Sequence, residues 1–347
     1  MTIQTWHANI EQEARSYQNR LTKPQGSLGR LEDISCWFAA CQGKFMPDKL
    51  TPHITIFAAD HGVTKEGISA FPSVVTTEML KNFSQGGAAI NVLAKQAGAT
   101  LSIVDVGVLL DTSPIKGITH AKVCTGTANL KTEAAMTADE CAQAMQVGKQ
   151  EAIKAIDNGA NILIAGDMGI GNTTASACLI CLFTKAKPED VVGSGTGIDD
   201  ATLAHKVAIV TQALQRIHSE NLPPETYLAQ VGGLEIAAIA GFYLEAAKQG
   251  IPILLDGFIT TAAALAAQQQ ENDIQQWMLA SHQSQEQGHA LALKKLQLSP
   301  LFNLQLRLGE GSGAALALPL LQSAIALHRE MATFESANVS VSDKNPI

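Results

Sequence analysis

Four short apolar runs, each stopping at glycine together with aspartate or histidine, set the tightest limits on how this chain can fold. His53 to Ala59 runs into Asp60-His61-Gly62, and Thr100 to Val106 ends in Asp105-Val106-Gly107. Asn161 to Ala165 ends in Gly166-Asp167-Met168-Gly169, and Ile251 to Leu255 ends in Asp256-Gly257. Helical patterns lie between the runs: Glu78 to Ala97, with Gly86-Gly87 inside it, and Ala134 to Asn158. Fully apolar strands alternating with helices predict an α/β fold, a parallel sheet with helices on both faces. Ligands bind such sheets outside the carboxyl ends of the strands, the edge on which these polar and glycine clusters fall. Residues 1–22 read as a polar helix. Lys23 to Arg30, with one proline and two glycines, reads as a loop. Leu31 to Gln42 reads as an amphipathic helix. Residues 1–48 and those from about 320 on carry helices without strands and are expected to pack as a smaller domain. The tail from Ser336 to Ile347 lacks periodicity and reads as a loose terminus.

Composition narrows the class. At 347 residues, the chain has length for one large domain or two ordinary ones, and 46% hydrophobic against 16% charged content supplies a sizeable core. Only 5% is aromatic, so Ala, Leu, Ile and Val must fill that core. A net charge of -8 argues against a nucleic-acid partner, which would call for a basic stripe. The apolar runs are too short to span a bilayer. Residues 1–20 are polar and show no secretory h-region, so a cytoplasmic enzyme with no membrane partner is expected. The six cysteines read as small core residues of a reducing compartment. Cys178 and Cys181 have redox or zinc spacing, but they sit in an apolar helical run with no second ligand pair. No cluster has zinc geometry, and no metal is expected.

Chemistry concentrates in a few places. In Arg307-Leu308-Gly309-Glu310-Gly311-Ser312-Gly313 a lone carboxylate stands between glycines, just after the alternating segment Phe302 to Leu308. A carboxylate at a strand end with small neighbours sits where a general base would. The plainer reading is an acid favoured by the dipole of the following helix. Gly166 to Thr174 forms a glycine-rich turn between strand and helix, whose free N–H groups suit a phosphate. It lacks the Lys-Ser/Thr pair of a P-loop, and Gly169-x-Gly171 is only a weak dinucleotide signal. Gly193 to Asp200 is a second glycine loop. Its Asp199-Asp200 pair reads as a helix N-cap rather than a diphosphate-magnesium motif, which leaves the loop and Lys206 to hold a monophosphate. Asp60 could orient His61, though a capping Asp beside a packed His is the plainer reading. Phe71-Pro72 offers a rigid apolar wall. Val231 to Glu235, Leu255 to Phe258 and Ser281 to Ser284 read as further loops on the same edge, with His282 as fitting in a structural role as in ligand contact. One carboxylate base, a second carboxylate and several anion loops suit a reaction on a nucleotide. A nicotinamide-dependent oxidoreductase and a non-catalytic nucleotide sensor remain the other readings of these residues.

Together these segments closely resemble the nicotinate-nucleotide–dimethylbenzimidazole phosphoribosyltransferase family of the cobalamin lower-ligand pathway. The matching stretches are Lys23 to Glu32, Ala59-Asp60-His61-Gly62-Val63, Gly171-Asn172-Thr173-Thr174, Val231-Gly232-Gly233, Leu254 to Phe258 and Arg307 to Ala315, in the family's order. The resemblance implies transfer of phosphoribose from nicotinate mononucleotide to 5,6-dimethylbenzimidazole, giving α-ribazole 5′-phosphate and nicotinate with inversion at C1′, and no cofactor. It also implies a homodimer with a Rossmann-like sheet, here residues 49–318, and a small helical domain from 1–48 together with 319–347. The family's catalytic base falls on Glu310. Its second acid, usually Glu, falls on Asp167. Phe71, Pro72, Met79, Met168 and Leu308 would line the aromatic-base pocket. Gly169, Asn172, Thr173, Gly195, Thr196, Gly197 and Lys206 would hold the nucleotide and its phosphate. Some members carry polar side chains where Phe71 and Met79 stand, so another benzimidazole, a purine or a phenol is an alternative acceptor.

Overall fold

The computed structural model describes residues 3–193, 195, 197 and 199–340. Its centre is one sheet of six parallel strands: β1 (Pro52–Ala59), β2 (Thr100–Gly107), β3 (Thr119–His120), β4 (Ile162–Met168), β5 (Ile253–Leu255) and β6 (Met278–Ala280). Their order is β3-β2-β1-β4-β5-β6, so the chain winds outward from β1, then crosses back and winds the other way. Between β1 and β4 the direction reverses, which opens a crevice at their carboxyl ends. The register sets Phe57 beside Asp167 and Ala58 beside Met168 at that crevice.

Successive strand residues point to opposite faces, and both faces are buried, which explains why the strands are mostly apolar. Phe57, Ala59, Val104, Val106, Leu163, Ala165, Ile253 and Leu255 enter the larger of two cores. Ile54, Ile56, Ala58, Ile103, Ile162, Ile164 and Leu254 enter the core on the opposite face. The larger core is covered by helices that include Ala138–Asp157, Asn172–Thr184, Leu234–Lys248 and Phe258–Gln270. Ala138–Asp157 and Leu234–Lys248 approach closely because Gly148 faces the Ala238 carbonyl and Gly241 the Met145 backbone; a Cβ at either would collide. On the second face lie the helices Val74–Gln85, Ala89–Ala97 and Ser312–Glu330.

Ala8–Gln18 packs on Arg30–Gln42, which packs against Ser312–Glu330, and Gln18 Nε2 lies 2.9 Å from His328 Nδ1 of that helix. The two ends of the chain meet where Leu21 bridges Thr333 and Thr22 donates to the Ala332 carbonyl at 3.0 Å. Helix Ser312–Glu330 runs unbroken through residues 318 and 319.

Several elements differ from expectation. The polar helix of residues 1–22 is confined to Ala8–Gln18. The pattern from Glu78 to Ala97 is two helices, Val74–Gln85 and Ala89–Ala97, because Gly86 turns left-handed at φ 80° and ends the first. The helix expected from Ala134 begins at Ala138, where Thr137 and Glu140 form a capping box. Phe302 to Leu308 forms no strand: it makes an isolated bridge from Phe302 to His282 and accepts the Gln285 N–H at the Leu306 carbonyl at 2.9 Å, with Gln305 in a left-handed conformation at φ 58° between them. β3 and β6, of two and three residues, are too short to leave an alternation in the sequence.

Candidate active site

Every strand end at the crevice carries a carboxylate or a glycine turn, and their hydrogen bonds sort them by task. Asp60, after β1, accepts from the Thr76 hydroxyl at 2.6 Å and the Leu109 N–H at 2.8 Å. It does not orient His61; the imidazole Nε2 lies 2.6 Å from Glu235 Oε1, with both side chains fully buried. Burial opposes protonation of His61, but the Glu235 carboxylate prevails and raises its pKa. This pair wedges beneath the turn after β4: a Cβ at Gly169 would approach Glu235 Oε1 and one at Gly233 would strike the imidazole. Asp256, after β5, accepts from Gly311 N–H at 3.1 Å and Ala314 N–H at 2.9 Å, capping helix Ser312–Glu330 from outside its own sequence.

Glu310 is the residue so anchored. Gly309, Glu310 and Gly311 have φ of 85°, 65° and 88°, three left-handed residues in succession. Glycine takes this conformation freely; a glutamate does so at a cost of order 1–3 kcal/mol, and such strain concentrates at functional sites. The backbone of β4 presses the turn into place, since a Cβ at Gly166 would collide with the Glu310 carbonyl. The Glu310 side chain is only 6% exposed, and its Oε2 has no hydrogen-bond partner among the described residues. Burial pushes its pKa up, opposed by a hydrogen bond from the Ile90 N–H, with Asp256 adding to the rise.

Asp167 lies on the same cavity. Asn172 Nδ2 donates to its Oδ2 at 2.9 Å. Burial, then the negative charges of Asp256 and Glu235, hold its carboxyl well above the usual range against that hydrogen bond, and Glu310 adds to the rise. The cavity, about 390 Å³, is also lined by Phe71, Met79, Met168 and Leu308, an apolar end of suitable size for a flat heterocycle. Gly169, Asn172, Thr173 and Gly195 line it as well.

Other expected residues fall elsewhere. Pro72 is exposed beside Phe71 and does not line the cavity. Gly197 stands apart from the wall, in a left-handed turn at φ 103°. Thr196 lies outside the described residues. Lys206 stands behind the wall: its Nζ donates to Thr173 Oγ1 at 2.9 Å and to the Gly193 carbonyl at 3.3 Å. Asp199 is an N-cap, its Oδ1 accepting from Thr202 N–H at 2.8 Å. His282 reaches the cavity, with Ser281 Oγ 2.9 Å from its Nδ1 and Phe302 stacked on its ring. Cys178 and Cys181 are buried free thiols, and burial pushes Cys181 up to about 12. No group of three or more metal-ligating side chains occurs among the described residues.

The sequence reading missed Arg307 and Glu286. Arg307 lines the cavity and donates to the Gly195 carbonyl at 3.1 Å, fastening the glutamate turn to the second glycine loop. Glu286 lines the cavity beside it, its only sequence signal being a polar stretch after His282.

A phosphoribosyltransferase family model matches residues 3–339. The chain belongs to this family. It is 59% identical over 327 residues to the nicotinate-nucleotide–dimethylbenzimidazole phosphoribosyltransferase of Chromobacterium violaceum, spanning 94% of this chain and 95% of that protein. The enzyme of the same name from Pseudomonas aeruginosa is 45% identical over 98% of this chain and 99% of its own length. The crystal structure of CobT from Thermus thermophilus superposes with a TM-score of 0.93 at 44% identity, covering 96% of this chain and all of that one. The chain is therefore a pentosyl-transferring enzyme with that family's α/β fold, and a dinucleotide oxidoreductase is set aside. Among the described residues, no helix is long and apolar enough to cross a membrane.

Proposed function

We propose that this enzyme transfers phosphoribose from nicotinate mononucleotide to 5,6-dimethylbenzimidazole, releasing nicotinate and forming α-ribazole 5′-phosphate. One observation carries the catalytic part of this reading: a buried glutamate, held in a left-handed turn, with an unpartnered carboxylate oxygen on a cavity with an apolar end. Glu310 is the general base. One ring nitrogen of the heterocycle bonds to C1′ while the bond from C1′ to the pyridinium nitrogen breaks. That bonding pair neutralises the pyridinium, so no diphosphate leaving group needs a metal. The proton on the other ring nitrogen passes to Glu310, whose burial makes it a stronger base than an exposed glutamate. Attack opposite the departing nicotinate inverts C1′ and turns a β-nucleotide into an α-product.

Asp167 balances positive charge as it develops on the ribose. Burial and neighbouring negative charge make its carboxyl hard to ionise, and a cation beside it would favour the carboxylate. Phe71, Met79, Met168 and Leu308 form the walls for the heterocycle, with Pro72 stiffening Phe71 from outside. Gly169, Asn172, Thr173 and Gly195 support a place for the nucleotide. Lys206 places positive charge behind Thr173, and Gly197 and Thr196 are kept as further contacts of the nucleotide.

The same proposal takes the enzyme to be a cytoplasmic homodimer that needs neither metal nor cofactor, with a catalytic unit of residues 49–318 and a helical unit of 1–48 with 319–347. The pairing of Leu21 with Thr333 favours the joining of the two termini. A second acceptor is favoured by one observation: the apolar wall contributes few polar groups to distinguish one heterocycle from another. The direct test is incubation of the purified chain with nicotinate mononucleotide and dimethylbenzimidazole, followed by chromatography. Nicotinate should appear only when both are present; release without the heterocycle, or none at all, would overturn the assignment.

A further inference from the structure

Glu286 is a carboxyl group of the cavity with no task in the transfer just described. It is 8% exposed, and its Oε2 finds no hydrogen-bond partner among the described residues. That oxygen lies so close to Gly193 that a Cβ there would meet it at 2.5 Å. Lys206 also hydrogen-bonds the Gly193 carbonyl, and Arg307 the Gly195 carbonyl, so both cations converge on the loop that Glu286 abuts. An acid at the anion-holding end of a cavity is out of keeping with that end's charge unless it has a further use.

We infer that Glu286 binds a proton when the nucleotide's monophosphate arrives and donates it to a phosphate oxygen, so that nucleotide capture is coupled to proton uptake. The inference rests on reading the Gly193–Lys206 edge as the monophosphate site. A carboxylate and a phosphate are both acceptors and cannot hydrogen-bond without a proton between them. In the free enzyme Lys206 and Arg307 favour the ionised acid; once a dianion engages those cations, that support is withdrawn and a negative neighbour is added. The other surrounding groups leave this balance intact. His289, on helix His289–Lys295, is pushed down to about 3 by burial and stays neutral. Cys178 is a buried thiol held protonated behind Lys206, and Glu189 and Asp190 are exposed to solvent. Burial raises the Glu286 pKa and Lys206 followed by Arg307 lowers it, so its ionisation depends on the cations the phosphate would engage.

Titration calorimetry on the full chain, in two buffers of different ionisation heat, counts the protons. At mildly alkaline pH, where the phosphate's own second ionisation is complete, nicotinate mononucleotide should bind with uptake of about one proton, and native affinity should fall up to about tenfold per pH unit. Nicotinate riboside, lacking the phosphate, should bind without uptake. Glu286→Gln, which resembles the protonated acid, should bind the nucleotide without uptake and with affinity independent of pH. Equal uptake by native and variant chains, or native binding without uptake, overturns the inference. A pH-independent loss of affinity in the variant also overturns it and makes Glu286 an acceptor for a ribose hydroxyl. The native comparison of nucleotide with riboside decides the matter even if the variant does not fold. Failure of the native chain to bind the nucleotide at all would instead defeat the underlying reading of the site.

Discussion

The two sides of the crevice use the same residue types in opposite ways. On the β1–β2 side, Asp60 and Asp105 spend their oxygens on nearby donors. Asp60 takes Thr76 and Leu109; Asp105 takes Val108 N–H and the Thr112 hydroxyl. His61 and Glu235, below the turn, are locked to each other. On the β4–β5 side, Glu310 and Glu286 each keep a buried oxygen without a partner among the described residues, and Asp167 has one amide donor. Asp60 and Asp105 are satisfied and build the rim; Glu235 also keeps a buried oxygen without a partner among the described residues, but of these carboxylates only Glu310, Glu286 and Asp167 line the cavity, where a substrate could reach them. An unpaired buried acceptor carries a desolvation cost of about 1–3 kcal/mol, and the native state carries that cost where the proposed chemistry lies.

The contrast can be broken most forcefully at Glu310. Glu310→Gln should lower turnover by about 10²–10⁴-fold while leaving the melting temperature near native; near-native turnover would remove it as the base. On the closed side, Glu235→Ala strands a buried imidazole and should cost about 3–5 kcal/mol of stability, read as a lower denaturant midpoint. If stability were unchanged and turnover alone fell, the division between rim and chemistry would be wrong. Met79→Ser should shift the preference between heterocycles by about 1–3 kcal/mol, measured as a ratio of kcat/KM values, with little change in the best turnover. Asp256→Ala should cost about 0.5–2 kcal/mol through the lost helix cap; an unchanged melting temperature would show that the cap is idle. The mildest test is the pH profile. Glu310 must be ionised to act and its pKa is raised, so kcat/KM should rise with pH through a midpoint above 4.5, the ordinary value, and fall away on acidification. A midpoint at or below that value would contradict the burial of the base.

The sequence announces the sheet through its apolar runs, because both faces of a parallel sheet are buried and most strand positions are apolar. It announces the carboxyl-end loops through glycine. It does not announce which acid is idle: Asp60, Asp105, Asp167 and Asp256 occupy similar strand ends, and only the placement of Thr76, Leu109, Val108 and Gly311 separates them. Those donors lie up to 55 residues away in sequence. Glu310 was legible because two glycines bracket it, and the left-handed turn is the reason they must. Glu286 and Arg307 were not legible as a pair: Arg307 stands in the glutamate motif but was given no task there, Glu286 lies in no motif, and the two meet only beside the Gly193 loop. Gly86-Gly87 was visible but misjudged: glycine inside a helical pattern is tolerated in many helices, and the left-handed φ of Gly86 makes the pair a stop.

The three-residue left-handed turn has a consequence for how an enzyme of this kind can diversify. The proposed base, Glu310, is bolted to β4, to Asp256 and to the head of a long helix, whereas Phe71 and Met79, the proposed walls for the heterocycle, come from a different part of the chain, Phe71 being nearly half exposed. Side chains that select the acceptor can be exchanged without disturbing the apparatus that acts on it, so a lineage could change the ring it installs while inheriting its chemistry intact.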